Sequence, residues 1–447
     1  MNFFIEKLGF LIFYPIFNIP LLVLLVISAS LFLLVKLKFI NFLGFFDNKN
    51  IKSHKAKKDE ISSFAAFMSA AGATLGMGNI IGGAIAIKIA GPGSLFWIAI
   101  FSLFLSIIKF SETALGYKYR IEDKQKIISG GAFFYIKNGF SDINFPKIGL
   151  IFSFLYAIFF IIAYVFAGSF QLNQISSLFS IEILHMQNAN FTVAIFIGTL
   201  SLLILLGGIH RIGKISSAIV PFMVLCHILC SGIIIYLHIH NFNDTLKSIF
   251  YNAFNINSSK YGGLMFVIIY SLQRILFGSD SGTGAAAIAN SNSNKGAIGQ
   301  AMIVSLEPIL VAIMMIISGF VVMLTGGHLN GLDNHGIHVI SLAFSNGGTI
   351  ILYLFWINIT LFGLTSIVSD GYYVEKAWYY ISKGRYIIHS KFIYIGICIA
   401  CTALPFKTIM PLSDITFNLS IMLNTIAIVC LSGVLAKFIK NNAKKYN

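Results

Sequence analysis

The chain is poor in charge and in proline, and it lacks any polar stretch long enough to fold on its own. Asp, Glu, Lys and Arg make up 11% of its 447 residues, 57% are hydrophobic, and only eight are proline. A typical soluble domain carries about 25% charged residues, so that class is excluded. Cysteine is scarce too. Cys226, Cys230, Cys398, Cys401 and Cys430 all fall in apolar stretches. Cys398-x-x-Cys401 has no second pair and no clustered histidines, which favours small packing residues over a redox or metal pair. No glycine-rich phosphate loop, metalloprotease His pair or dinucleotide fingerprint occurs. Gly278-Ser-Asp-Ser-Gly282 superficially resembles a serine-protease nucleophile loop, but it sits in a hydrophobic run without His and Asp partners arranged for it. These absences argue against an enzyme and against an organic cofactor.

What the chain has is long apolar runs. A membrane-crossing helix needs roughly 20 mainly apolar residues. Eleven stretches qualify, near 10–36, 64–89, 94–117, 149–179, 190–208, 215–238, 263–290, 297–325, 348–381, 391–406 and 412–438, the tenth being the shortest. The expected fold is an all-α polytopic membrane protein of about 11 transmembrane helices, with the lipid bilayer as partner. The first run lacks a basic leader and an obvious small-residue cleavage site, so it reads as an uncleaved helix. Net charge is +15, but its placement argues against nucleic acid. With the amino terminus outside, alternate loops hold 24 Lys and Arg on the cytoplasmic side and five outside. That asymmetry predicts a cytoplasmic carboxyl terminus.

Two apolar runs are interrupted by glycines in matching places. The first carries Gly72-Ala-Thr-Leu-Gly76-Met-Gly78-Asn79-Ile-Ile-Gly82-Gly83, and the second Phe277-Gly278-Ser279-Asp280-Ser281-Gly282-Thr283-Gly284. Each opens a set of five runs, and an odd number places the two sets in opposite senses across a membrane. The expected organisation is a peripheral helix and basic loop (1–60), then five-helix repeats at 61–240 and 261–440, all in one transporter domain. Lipid offers no hydrogen-bond partners, so broken backbone at membrane depth survives only where protein or a wet cavity satisfies it. A matched pair of breaks is therefore a pointer to a transporter's substrate site. The glycines at 72, 76, 78 and 82 also form small-x-x-x-small motifs that serve helix packing. Asn79 within the run, and the recurrence one repeat later, favour unwound backbone.

Charge inside a span is costly and earns a functional hypothesis. Lys109 and Glu112 are i,i+3 neighbours and are expected to pair. Arg274 just before the second break is a gate or a counter-charge. Asp280 within that break and Asp370 near Thr365-Ser366 could bind Na⁺, take a proton or meet an ammonium group. Gln171, Asn173 and Gln174 either line a site or bind helices together. Thr365 and Ser366 either back-bond to their own helix or offer hydroxyls to a cation.

These residues resemble the alanine or glycine:cation symporter family, which has the leucine-transporter-type fold. The matching stretches include Gly76-Met-Gly-Asn-Ile80, Ala90-Gly-Pro-Gly-Ser-Leu-Phe-Trp97, Lys109-Phe-Ser-Glu112 and Gly130-Gly-Ala-Phe-Phe-Tyr-Ile136. They continue with Gln171-Leu-Asn173, Gly207-Gly-Ile-His-Arg-Ile-Gly-Lys214, Glu307-Pro308 and Tyr372-Tyr-Val-Glu-Lys376. The resemblance spans about Phe64 to Phe438. It implies a 5+5 inverted repeat and uptake of a small neutral amino acid, alanine or glycine, coupled to Na⁺ or H⁺.

By the same resemblance the amino acid touches Gly76, Gly78 and Asn79, with Gln171, Asn173, Phe277 and Ser279 completing the pocket. Asp280, Gly282 and Asp370 join the expected substrate set. Na⁺ is expected between carbonyls near Gly72 and Leu75 and the hydroxyls of Thr365 and Ser366. The chain departs from the family pattern where Asn-Glu becomes Ser279-Asp280, where an Asp-Thr becomes Val311-Ala312, and where a Trp becomes Asp370. The changes open the alternatives of another zwitterion, of proton coupling, or of a transport-inactive sensor. A monomer in a bacterial inner membrane is the expected setting.

Overall fold

A computed structural model describes residues 15–16, 19–40, 62–122, 128–186, 189–255, 263–326 and 336–443. The chain is built almost wholly of helices. Two short antiparallel ribbons, Pro15–Ile16 with Ile19–Pro20 and Ile121–Glu122 with Ile128–Ser129, are the only strands among the described residues. The run 118–148 holds a helix, α5 (Ala132–Asp142). The polar face of α9 (Phe242–Phe254) and the helix α14 (Gly336–Ser345) escaped the sequence reading, since neither is long enough to register as an apolar span.

Helix lies within each of the eleven apolar stretches, but the first departs from expectation. Of 10–36 only Leu21–Lys36 is helix, Pro15–Ile16 and Ile19–Pro20 pair as a ribbon, and 10–14 and 17–18 lie outside the described residues. Six pass by themselves as long and apolar enough to cross a membrane: α4 (Ser94–Lys118), α6 (Pro146–Leu178, extended by a π-turn to Ile183), α8 (Gly208–Leu237), α12–α13 (Ala297–Val304 and Glu307–Leu324), α15 (Thr349–Ser382) and α17 (Phe406–Cys430, counted from Thr408). The bent pair α2 (Ser63–Thr74) and α3 (Met77–Ala90) makes a seventh, with a 45° bend. The other four are helical but short: α1 (Leu21–Lys36), α7 (Asn190–Leu205), α10 (Gly263–Ser279) and α16 (Ile387–Cys401). A final helix, α18 (Ser432–Ala443), follows α17.

The two broken helices occupy the middle of the bundle. The pair α2–α3 packs on α8, α13 and α15, and α10 with the five-residue α11 (Ala285–Ala289) packs on α3, α4 and α13. Long α6 and α15 pack against each other beside them. Large apolar side chains face outward on the periphery, among them Ile151 on α6, Phe196 and Leu203 on α7, Leu229 on α8, and Ile350 and Ile357 on α15. An outer surface of this kind suits hydrocarbon rather than water.

Candidate substrate and ion site

The first break is narrower than its glycine run. Only Leu75 and Gly76 leave helical geometry, Gly76 with an extended backbone of φ −94° and ψ 179°. That backbone suits any residue, so what demands glycine is space. A methyl group at 76 would lie 2.8 Å from Ser366 Oγ and closer still to the Gln171 amide. Gly83 serves packing instead, because a methyl there would strike the Met315 carbonyl on α13. Both readings of the glycine run therefore hold, at different positions. The second break spans Asp280 to Gly284, with left-handed backbone at Asp280, Gly282 and Gly284. Asp tolerates that region better than most residues, and glycine adopts it freely.

Side chains from other helices tie the loose ends. Gln171 Oε1 on α6 accepts from the Met77 amide at 3.0 Å, and the Asn79 side-chain amide donates to the Thr74 carbonyl across the break. The Ser366 hydroxyl on α15 lies 2.8 Å from the Ala73 carbonyl and 3.2 Å from that of Gly72. At the second break, Tyr164 and Tyr156 on α6 reach Thr283, its hydroxyl at 3.0 Å and its carbonyl respectively. Broken backbone in the bundle core thus keeps its partners.

Both breaks open on one cavity. About 290 Å³ of space, open solvent included, is bounded by Ala73, Thr74, Gly76, Gly78, Asn79, Ala167, Gln171, Phe277, Asp280, Asp370 and Phe417. Seven of the ten expected substrate residues are in that lining. The structure places the other three elsewhere. Asn173 donates to the carbonyls of Leu404 at 3.0 Å and Thr402 at 3.4 Å, between α16 and α17. The Ser279 hydroxyl meets that of Ser281 at 2.8 Å. Gly282 faces Ile421 and Thr425. A residue two positions from Gln171 points some 200° around the helix, so the pair could not both face one cavity. Ala73, Thr74, Ala167 and Phe417 went unnoticed. Thr74 was legible as a hydroxyl inside the first glycine run, whereas Phe417 carried no signal among so many aromatic residues.

The lining holds two carboxylates and no Lys, Arg or His. Asp280 and Asp370 are 6% and 3% exposed and near enough to act on one another. Arg274 pairs with Asp414 on α17, which makes it a counter-charge. Its guanidinium also lies 5.7 Å from the Phe277 ring centre, and Phe277 contacts Phe170 and Phe417 edge-on or tilted at 6.0 and 5.2 Å. The expected Lys109–Glu112 pair does not form. Lys109 Nζ instead meets Glu307 at 3.2 Å, and Glu112 accepts from the Gly284 amide and from Asn424. Fixed donors on neighbouring elements meet one oxygen of that carboxylate, Oε1, in place of a flexible lysine along its own helix.

The four expected sodium residues part company. Ser366 and Gly72 come together, with Leu75 a turn away. The Thr365 hydroxyl bonds its own helix at Leu361 and Phe362, both at 3.0 Å. Two main-chain carbonyls converging on one hydroxyl form an all-oxygen set of the kind a hard cation takes. Among the described residues no cluster of three His, Cys, Asp or Glu could hold a metal ion.

Two interrupted helices meeting on one cavity within a helix bundle define a secondary transporter. The sequence profile of the sodium:alanine symporter family matches residues 7–447, and the chain belongs to that family. It is 31% identical to an uncharacterized transporter of Haemophilus influenzae over 95% of this chain and 93% of that one. It is 29% identical to the sodium/alanine symporter AgcS of Methanococcus maripaludis, covering 93% and 92%. With the probable sodium/glutamine symporter GlnT of Bacillus subtilis the identity is 27%, over 95% and 88%. Among solved structures, MhsT in complex with L-phenylalanine superposes with a TM-score of 0.58 at 13% identity, covering 85% of this chain and 89% of that one. A Na⁺-coupled sialic acid symporter gives 0.52 at 13%, covering 93% and 86%. The fold is thus the leucine-transporter type, and the chain is a multi-pass membrane transporter rather than an enzyme.

Proposed function

We propose that the protein imports a small neutral amino acid, alanine or glycine, coupled to Na⁺ by alternating access. The observation that carries this reading is the single cavity shared by both breaks. The amino end of α3 opens onto it at Gly76 and Gly78. Helix amides and dipole there favour a carboxylate. Asp280 would meet the substrate ammonium from the second break, and Phe277 would cover it. Na⁺ would lie among the Gly72 and Ala73 carbonyls and Ser366, where it would fix α2 against α15 before the amino acid binds. The membrane potential contributes about 2.3 kcal/mol per charge per 100 mV, enough alone for well over tenfold accumulation.

The repeat division at 61–240 and 261–440 is supported by the order of helices. In each set a broken helix comes first, the third is the longest at 33 or 34 residues, and the fourth is short at 16 or 15. The charge asymmetry supports an amino terminus outside and a cytoplasmic carboxyl terminus. The proposed setting is a bacterial inner membrane, with the chain acting as a monomer.

A second reading has its own observation. Asp370 lines the cavity together with Asp280 and has no side-chain partner among the described residues. One ammonium cannot neutralise two carboxylates, so a proton would balance the second, giving H⁺ coupling or another zwitterion as cargo. The deciding experiment is uptake of labelled alanine and glycine into proteoliposomes with a sodium gradient, a proton gradient or neither. Sodium-driven accumulation is expected. No gradient-driven uptake across a panel of amino acids would leave a transport-inactive sensor.

A further inference from the structure

One helix is linked to both breaks by two charged side chains a single turn apart, Glu112 directly and Lys109 through Glu307 on α13. On α4, Lys109 and Glu112 are 1% and 0% exposed. Lys109 Nζ lies 3.2 Å from Oε2 of Glu307, and Oε1 of Glu307 takes the Thr74 hydroxyl. Thr74 is the last residue of α2, and its carbonyl accepts the Asn79 side-chain amide from beyond the first break. On the same face of α4, Glu112 Oε1 accepts from the Gly284 amide at the end of the second break, and from Asn424 Nδ2, both at 2.9 Å. That Asn424 amide also lies 2.9 Å from the Gly282 carbonyl.

Stability alone does not account for such a set. Burying an ion pair costs desolvation that its attraction scarcely repays, and well-packed apolar residues usually do as well or better. What charged groups add is direction. Here each carboxylate is aimed at one broken end, through a hydroxyl at Thr74 and through a main-chain amide at Gly284. One chain of contacts ends at Asn79, which lines the cavity, and the other at Gly282 and Gly284, in the break that begins with the cavity residue Asp280.

We propose, resting on the symporter reading above, that Lys109 and Glu112 are positioning residues and that α4 is a strut joining the two breaks. Ordering of the first break by its ligands then fixes the donors of the second, and the reverse. Neither side chain touches the substrate. Both set where the groups that do touch it stand.

The test is a double-mutant cycle on the purified full-length protein, with Thr74→Val, Glu112→Gln and the two combined. Labelled alanine binding in the presence of sodium is measured beside the melting temperature. Each single change should weaken binding by roughly tenfold, the scale of a hydrogen bond to a charged group. The combined variant should weaken it by clearly less than the product, because a strut released at one end no longer transmits from the other. Effects that multiply, or affinities that merely fall in step with melting temperature, would overturn the proposal. Lys109→Met alone strands a buried carboxylate, so it is made together with Glu307→Gln. That neutral pair should fold and bind as weakly as Thr74→Val, and wild-type affinity in it would also overturn the strut. A wild-type protein that binds no amino acid in the panel would sink the symporter reading and the strut together. Binding by the wild type with multiplying variants would sink the strut alone.

Discussion

Two adjacent hydroxyls on α15 should differ sharply in their effect on sodium, although the sequence treats them as a pair. Ser366→Ala removes the side chain that bridges α15 to the Gly72 and Ala73 carbonyls, at 3.2 and 2.8 Å. One hydroxyl proton serves both, so the net loss is that of a single hydrogen bond, about 0.5–1.5 kcal/mol. At a factor of ten per 1.4 kcal/mol, half-saturating sodium should rise by roughly two- to twelvefold. Losing a cation ligand would add to that figure, which makes it a lower bound. Thr365→Ala removes a hydroxyl that bonds back to Leu361 and Phe362 of its own helix. Its sodium dependence should stay within about twofold, since such back-bonding contributes little to helix stability. The assay is initial-rate uptake of labelled alanine in proteoliposomes over a series of outside sodium concentrations, at fixed membrane potential. Equal shifts in the two variants, or no shift in Ser366→Ala, would refute the placement of the ion.

Gly76→Ala should weaken amino-acid binding by about fivefold or more in equilibrium dialysis, because its methyl group displaces both Gln171 and Ser366, and overpacking of this kind costs about 1–3 kcal/mol. Arg274→Ala strips Asp414 of its counter-charge and removes the cation beside Phe277. Bound amino acid should then leave several-fold faster in a filter-binding chase, and an unchanged rate would count against Arg274 as part of a gate. Asp370→Asn should flatten the dependence of uptake on outside pH by removing the unpartnered carboxylate from the cavity. A profile identical to wild type would take Asp370 out of proton coupling and leave sodium as the sole driving ion.

Much of the cavity lining was legible because local chemistry marks it. Gly76, Gly78 and Asn79 stood out as polar or flexible positions in an apolar run, and so did Asp280 and Asp370; all five line the cavity. Gln171 and Asn173 looked equivalent for the same reason, yet only Gln171 reaches the break while Asn173 holds the turn before α17. Phe417 was hidden among 43 phenylalanines, since an aromatic residue in a span announces nothing by itself.

The sequence by itself determined that this chain crosses a membrane repeatedly, that two of its helices must break, and roughly where. Those outcomes follow from short-range physics: apolar runs of spanning length, glycines that leave room or accept left-handed backbone, and charges sorted between alternate loops. Only the tertiary structure decided which charge answers which. Lys109 joined Glu307 rather than Glu112, Arg274 joined Asp414, and Ser366 rather than Thr365 turned toward the first break. Partnership of that kind depends on the rotation of each helix against its neighbours. Rotation is fixed by the packing of side chains distant in sequence, about which no single segment carries information.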